Sequence, residues 1–223
     1  MIDDEQIKIL EDQYTYHFFF NHGLFDELKH YEDLISETDS FLRNQIESFK
    51  DKSENEIMDE RFGKKTQYEN IFPSILWKSI FLSLYFLLES SLDQICNNLK
   101  TSENYKLSYK DISGNGIYRS SSYLKKVCDL NETFKAKTWN NITDFNKIRN
   151  TLVHSDGIFS KNNKELISIC KKYKNLNNSD FDNENISISL DHKFCQFTLE
   201  KITIFVDDIY REMMNKRQQA TKM

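Results

Sequence analysis

The scarcity of helix-breaking residues most constrains what this chain can fold into. Its 223 residues include only five glycines and one proline. Because these two residues interrupt helices and form tight turns, their scarcity predicts long helices joined by few turns. Apolar residues recur at intervals of three and four along most of the chain, which also indicates helices. We therefore predict an all-α helical bundle with a long N-terminal helical region and at most one short β segment.

The N-terminal third is predicted to be one long helical region, residues 4 to about 50. Its apolar residues fit a bundle helix or a helical hairpin, and a dimerising coiled coil is the alternative. Asn21, His22 and Gly23 are expected to kink it, because glycine weakens a helix interior. The polar residues 51–70 are predicted to form a connection that is partly helical or mobile. We predict a single domain over 1–223, with 1–70 as extension and linker and 71–217 as the helical core.

The most apolar stretch runs from Pro73 to about Leu99 and predicts the central helix of the core, with Pro73 in its first turn. Lys78, Glu89 and several serines interrupt it, so a core helix is favoured over a membrane span. The carboxylate of Glu89 has two interpretations. It either faces solvent or pairs with an arginine on a neighbouring helix, for which Arg149 is the candidate.

Further elements are predicted on both sides of the motif described next. A turn at Gly114-Asn115-Gly116 precedes a helix over about 120–130. A short amphipathic helix falls within 162–174, and residues 175–185 form an Asn/Asp-rich loop. Residues 186–190 alternate with period two and indicate a short strand or extended segment. Asp191 is expected to cap a last helix that continues to about Lys216.

An arginine on an apolar helix face is the anomaly of this sequence. Ile142, Phe145, Ile148 and Leu152 fall within an arc of roughly 120° on a helix that spans about 139–155. Arg149 projects inside that arc, where an unpaired guanidinium is costly to bury. Either the arginine has a partner, or this face is not simply core.

Two polar side chains follow the arginine near the end of the same helix. Asn150 lies one turn before His154, on the same side of the helix. An arginine, an amide and an imidazole near one helix end predict a polar site against a second helix. His154 also has a purely structural interpretation, because an imidazolium is favourable at a helix C-terminus.

Charge and cysteine usage limit the classes of partner. The formal net charge is −5 and the isoelectric point about 5.6, which disfavours tight, sequence-independent binding to long duplex DNA. The four cysteines are far apart and form no metal-binding pattern, so we expect reduced thiols and a cytoplasmic protein. The acidic N-terminus predicts no signal peptide. Neither a metal nor a cofactor is expected.

The segment R-N-T-L-V-H, from Arg149 to His154, resembles the R-x4-H signature of the HEPN superfamily. The Leu-rich helix that carries Glu89, the turn G-N-G-I-Y-R and the long last helix agree with that resemblance, which covers roughly 71–213. It implies a helical bundle that forms homodimers through facing motif helices. It also implies a metal-independent endoribonuclease of a toxin–antitoxin or anti-phage system, with an antitoxin or defence protein as a further partner. Some members are inactive and act as dimeric adaptors, which is the alternative.

The residues suit that chemistry. Histidine is the side chain whose ordinary pKa, about 6.5, lies nearest neutral pH, so His154 is the candidate general acid or base. Arg149 can stabilise charge on the phosphoryl oxygens, with Asn150 and Glu89 as supporting residues. Guidance of RNA by Lys125, Lys126 and Lys147 is a weaker hypothesis, since such lysines are usually just solvated.

One geometric difficulty points to a composite site. Positions five apart lie about 140° apart around a helix, so one chain presents Arg149 and His154 poorly to a single point. Fraying of the helix end would help somewhat, and a twofold dimer would help more. Asp156 stands where one family variant carries a tyrosine that a partner nucleotidyltransferase modifies, so regulation by that route is not expected.

Overall fold

The computed structural model describes residues 19–49 and 62–220. Helices occupy most of that part of the chain, as predicted. They are α1 (Phe25–Glu47), α2 (Phe72–Ser102), α3 (Gly116–Lys126), α4 (Lys137–Ser155), α5 (Lys164–Lys172) and α6 (His192–Ala220). A π-helical turn (Phe19–Leu24) precedes α1, and a short helical stretch (Phe62–Thr66, then a π turn Gln67–Ile71) leads directly into α2.

Several predicted boundaries are confirmed. Residues 21–23, where a break or kink was expected, lie in the π-helical turn Phe19–Leu24, which continues directly into α1. Pro73 lies in the first turn of α2, and Asp191 caps α6 by accepting a hydrogen bond from the Phe194 backbone N–H at 2.8 Å. The helix predicted over 120–130 begins earlier, at Gly116. The predicted helix over 4–18 and residues 51–61 of the predicted connection lie outside the described residues, and the remainder of that connection, 62–70, is helical.

The expectation of at most one β segment was wrong. Three strands, β1 (Ile158–Ser160), β2 (Leu176–Asp180) and β3 (Asn185–Leu190), form an antiparallel sheet in the order β1–β3–β2. β3 covers the segment whose alternation indicated a strand. β2 falls in the Asn/Asp-rich stretch that we expected to be a loop. Four of its five residues are polar and exposed, so pairing with β3 creates this strand without an apolar signal in the sequence.

The described residues form two compact units. The motif unit comprises 31–49, 62–85 and 143–200, and the second unit comprises 19–30, 86–142 and 201–220. The boundaries fall inside α1, α2, α4 and α6, so each of these helices contributes to both units. The prediction of a single domain over 1–223 stays a prediction.

An aromatic cluster fills the core of the motif unit. The Phe194 ring lies 5.7 Å from that of Phe81 and 6.0 Å from that of Phe145, between ring centroids. Phe145, Ile148 and Leu152 are all buried, which confirms the apolar face predicted for α4. Burial of each such side chain stabilises the fold by about 2 kcal/mol. The motif residues are therefore carried on a firmly packed helix.

A second aromatic cluster fills the core of the second unit. Trp139 stacks on Phe205 with 5.6 Å between ring centroids, and Phe134 packs edge-on against Trp139 at 5.1 Å. Phe134 belongs to the loop that precedes α4, and Phe205 belongs to α6. These rings fix the start of α4 against α6 within this unit.

The apolar helix α2 is only partly covered. Leu84, Leu88 and Leu92 on it are fully buried, whereas Ile75 and Phe86 are 56% and 70% exposed. Gly63–Ser102 is the one stretch of the described chain long and apolar enough to cross a membrane, a test that a core helix also passes. Burial of its leucines agrees with the predicted core helix, and its exposed residues leave an apolar surface.

Candidate active site

The residues H-S-D-G, 154–157, terminate the helix α4. Asp156 and Gly157 both have positive φ, 53° and 85°, and the Gly157 backbone N–H donates to the Thr151 carbonyl at 3.1 Å. A Cβ at position 157 would lie 2.9 Å from the Ile188 carbonyl oxygen of β3. Position 157 therefore requires glycine, both for its φ and for the close approach of the sheet.

The end of α4 is regular, so fraying does not bring Arg149 and His154 closer together. α4 is helical through Ser155, whose hydroxyl donates to the Thr151 carbonyl at 2.9 Å. Arg149 and His154 therefore point about 140° apart around a regular helix. Their surroundings differ accordingly, since Arg149 is half-buried and His154 is exposed. One chain does not direct these two side chains to the same point.

The guanidinium of Arg149 is held by uncharged groups of the motif unit. Its Cζ lies 5.7 Å from the centroid of the Tyr85 ring, which is almost completely buried on α2. Its Nη1 donates to the Asn150 Oδ1 at 2.9 Å. The ring face and the amide oxygen attract a cation without cancelling its charge. The arginine thus has partners, and they leave it positively charged.

Tyr85 also binds a second residue of α4. Its hydroxyl donates to the Asn146 Oδ1 at 2.8 Å. Asn146, Asn150 and His154 are spaced at i, i+4 and i+8, so they form one row along the helix. Neither Tyr85 nor Asn146 was predicted from the sequence as a site residue. The four-residue spacing was visible for Asn146, but no sequence signal connects Tyr85 to it.

Glu89, the candidate partner of Arg149, belongs to the second unit. Its Oε1 lies so close to Gly116 that a Cβ at that position would overlap it. Gly116 is the first residue of α3 and has a φ of 51°. The carboxylate is thus placed at a helix N-terminus, where a negative charge is favourable. Its pairing with Arg149 stays a prediction.

Two of the three lysines suggested for RNA binding contact other side chains of the chain. Lys147 pairs with Glu165 at 2.8 Å and with Asp144 at 3.8 Å. The Lys125 Nζ lies 5.5 Å from the centroid of the Phe134 ring, and Lys126 is exposed. Their role in binding RNA stays a prediction, and Lys147 would have to exchange carboxylate partners for phosphate.

An ion pair lies beside the end of α4. Asp156, at the position of the modifiable tyrosine in the family variant, pairs with Lys78 of α2. The Asp156 side chain is 80% exposed. The pair thus connects two elements of the motif unit at the surface, where ion pairs contribute little stability.

The described residues include no metal-binding cluster, and burial raises the pKa of the cysteine thiols. No group of three or more His, Cys, Asp or Glu residues there could hold a metal ion. All four cysteines are free thiols, as expected. Burial raises the pKa of Cys128 and of Cys195 to about 12. These two thiols therefore stay protonated at neutral pH and are poor nucleophiles.

No family model, curated protein or solved structure matches this chain. The resemblance to HEPN proteins therefore depends on the residues of α4 and their surroundings. It stays a prediction.

Proposed function

We propose that this protein is a metal-independent endoribonuclease of the HEPN type, which works as a homodimer in a toxin–antitoxin or anti-phage system. The state of Arg149 is the observation that supports this proposal. Its guanidinium is half-buried against an aromatic ring and an amide, which leave its charge uncancelled. An arginine kept in that state on the helix that ends with an exposed histidine suits the binding of a phosphodiester.

The proposed reaction uses the RNA's own nucleophile. The ribose 2′-oxygen attacks the adjacent phosphorus, its proton passes to one imidazole of His154, and the bond to the 5′-oxygen breaks. A second proton donor, the other copy of His154, protonates the leaving 5′-oxygen. The products are a 2′,3′-cyclic phosphate and a 5′-hydroxyl. Arg149 stabilises the charge that develops on the phosphoryl oxygens in the transition state.

The composite site follows from the regular helix. With Arg149 and His154 about 140° apart on one chain, a shared point requires side chains from two copies. Exposed apolar residues support such an interface, since Ile75 is 56% and Val153 is 50% exposed. Val153 immediately precedes His154 and projects within about 40° of Arg149. A second chain that covers Val153 would thus reach both candidate catalytic residues.

The alternative is a catalytically inactive HEPN-type module that binds and regulates another protein. The same exposed apolar residues favour it, because they suit a partner of any kind. In that case Arg149 stabilises the fold against Tyr85, and His154 only ends the helix. Cleavage of RNA distinguishes the two functions.

Incubation of purified protein with single-stranded RNA in EDTA tests the nuclease. We expect cleavage by the wild type, and a loss of at least about a hundredfold in Arg149→Ala and in His154→Ala. Matched controls are Arg217→Ala, a half-buried arginine of the second unit, and His30→Ala, an exposed histidine of α1. Products that end in a 2′,3′-cyclic phosphate would support the proposed reaction.

Three outcomes would contradict the proposal. One is the absence of cleavage of any RNA, which would favour the interaction module. A second is equal loss in the control variants, which would point to a general effect on folding. Activity that requires added Mg²⁺ would also reject a metal-independent mechanism.

Oligomeric state provides a separate test of the composite site. Ile75→Glu and Val153→Glu each place a charge at an exposed apolar position, so we expect folded monomers without cleavage activity. Phe181→Glu is the control, because Phe181 is 60% exposed on the loop after β2. Full activity in a monomer, measured by light scattering and cleavage together, would reject the shared site.

A further inference from the structure

The row of polar residues on α4 extends one turn beyond the predicted motif. Asn146 precedes Asn150 by four residues and His154 by eight, so the three side chains lie about 6 Å apart along one side of the helix. Asn146 also precedes Arg149 by three residues, which makes those two side chains neighbours. A substrate that contacts Arg149, Asn150 and His154 would therefore pass close to Asn146.

The buried hydroxyl of Tyr85 determines which end of the Asn146 amide faces outward. Tyr85 is 2% exposed, and its hydroxyl donates to the Asn146 Oδ1 at 2.8 Å. The carbonyl end of the amide is therefore directed toward the core. Asn146 itself is half-buried, and the opposite end of its amide, Nδ2, is an N–H donor.

We propose that Asn146 is an RNA-contacting residue and that Tyr85 is its positioning residue. The inference depends on the proposed nuclease function and adds a substrate contact to its site. The Nδ2 of Asn146 donates to an oxygen of the sugar–phosphate backbone, one helical turn from the contact made by Asn150. Tyr85 acts twice, since the same ring supports the guanidinium of Arg149 at 5.7 Å.

This geometry also predicts a lack of base specificity at Asn146. An asparagine reads adenine by using its oxygen and its nitrogen together. Here the oxygen is engaged by Tyr85, so a donor is what the residue presents. Donors suit phosphate and ribose oxygens, which every nucleotide carries. The contribution of Asn146 to binding is therefore expected to be the same for different RNA sequences.

Binding and cleavage measured in parallel test the inference. For binding, fluorescein-labelled single-stranded poly(A) and poly(U) oligonucleotides are titrated with protein in the His154→Ala background, so that the RNA stays intact. Asn146→Asp keeps the oxygen and removes the donor, and we expect affinity to fall about tenfold or more for both RNAs. Asn140→Asp, the same charge change at an exposed position of α4, should leave affinity unchanged.

The role of Tyr85 is tested by loss of its hydroxyl alone. Tyr85→Phe keeps the ring under Arg149 and frees the Asn146 amide to rotate, so we expect about threefold weaker binding. Tyr123→Phe is the matched control, because the Tyr123 hydroxyl is also buried and donates to the Leu107 carbonyl at 2.9 Å. In the Asn146→Ala background, Tyr85→Phe should have no further effect on affinity.

The cleavage assay separates this inference from the proposed function. With the wild-type His154, both Asn146→Asp and Tyr85→Phe should raise KM and leave kcat nearly unchanged. An unchanged KM in both variants would overturn the inference about Asn146 and Tyr85, but would not contradict the proposed nuclease. Absence of cleavage with RNA binding that still depends on Asn146 would overturn the nuclease alone. Equal affinity of the wild type and Asn146→Asp for both RNAs would overturn the inference in every case.

Discussion

Two half-buried arginines in the two units have opposite surroundings. Arg217, near the end of α6 in the second unit, pairs with the Glu103 carboxylate and donates to the Ser102 hydroxyl at 3.2 Å. Arg149 in the motif unit contacts a tyrosine ring and an amide, neither of which carries charge. The charge of Arg217 is paired with a carboxylate of the same unit. No carboxylate in the described part of the chain pairs with Arg149, so its charge can bind an anion from outside.

Other charged side chains in the region around Arg217 are also held by groups of the same unit. A cleft of about 490 Å³ in the second unit lies between the loop before α4 and α6. The Glu212 carboxylate at this cleft accepts hydrogen bonds from the Thr133 backbone N–H at 2.8 Å and from its hydroxyl at 2.7 Å. Lys216 there pairs with Asp129. Neutral donors thus hold the Glu212 carboxylate and a carboxylate holds Lys216, and both contacts join the loop to α6.

The largest expected effect separates the two arginines directly. Arg149→Ala should reduce RNA cleavage at least about a hundredfold and reduce the free energy of unfolding by about 1 kcal/mol or less. Arg217→Ala should leave cleavage unchanged and reduce the free energy of unfolding by about 2 kcal/mol, since it removes a charge-assisted hydrogen bond to Glu103. Cleavage rates and urea unfolding of both variants measure this. A larger stability loss in Arg149→Ala than in Arg217→Ala would break the comparison.

The second prediction concerns how Glu212 makes the stability of the second unit depend on pH. Burial alone would raise the pKa of Glu212, but hydrogen bonds from Thr133 and Glu132 outweigh it and hold the pKa below its usual value. A carboxylate with a lowered pKa stabilises the fold above its unfolded-state pKa, and that contribution is lost as pH falls through the folded-state value. Glu212→Gln should therefore lose about 1 kcal/mol of stability at neutral pH.

The stability gap between wild type and Glu212→Gln should shrink as the pH falls below about 4.3, the ordinary value for a glutamate. Unfolding curves measured from neutral to acidic pH would show this. A gap that is constant, or that widens in acid, would mean that the carboxylate does not hold the loop through its charge.

A third prediction concerns a lysine that lies on the motif helix but is paired. Lys147 forms ion pairs with Glu165 and Asp144, so its charge is paired within the chain, as that of Arg217 is. Lys147→Ala should weaken RNA binding less than about threefold, because an ion pair within the chain must be broken before phosphate can be bound. A large loss of affinity, with a weaker salt dependence, would instead support direct contact with phosphate.

The smallest effect is expected at the end of α4. Lys78→Met removes the ion pair with Asp156, whose side chain is 80% exposed. Solvent screens such a pair, so the free energy of unfolding should change by less than about 1 kcal/mol. RNA cleavage should be unchanged, since Gly157 and not this pair ends the helix. A marked loss of cleavage would show that Lys78 takes part in the site.

The sequence predicted most of the helices because their signals are local. The apolar face of α4, the cap at Asp191 and the position of Pro73 each depend on residues within one or two turns. β2 was missed for the opposite reason. Its exposed residues Asn177 to Asp180 carry no apolar alternation, and the backbone of β3 alone makes them a strand.

For the candidate site, the sequence by itself determined which residues stand together along one helix: Arg149, Asn150 and His154, ending at Gly157. Helical spacing alone already showed that the arginine and the histidine diverge. Only the tertiary structure decided how the charge of Arg149 is held. A ring 64 residues earlier, Tyr85, supports the guanidinium and orients Asn146. Contacts between distant segments arise from packing, and no local pattern in the sequence encodes them.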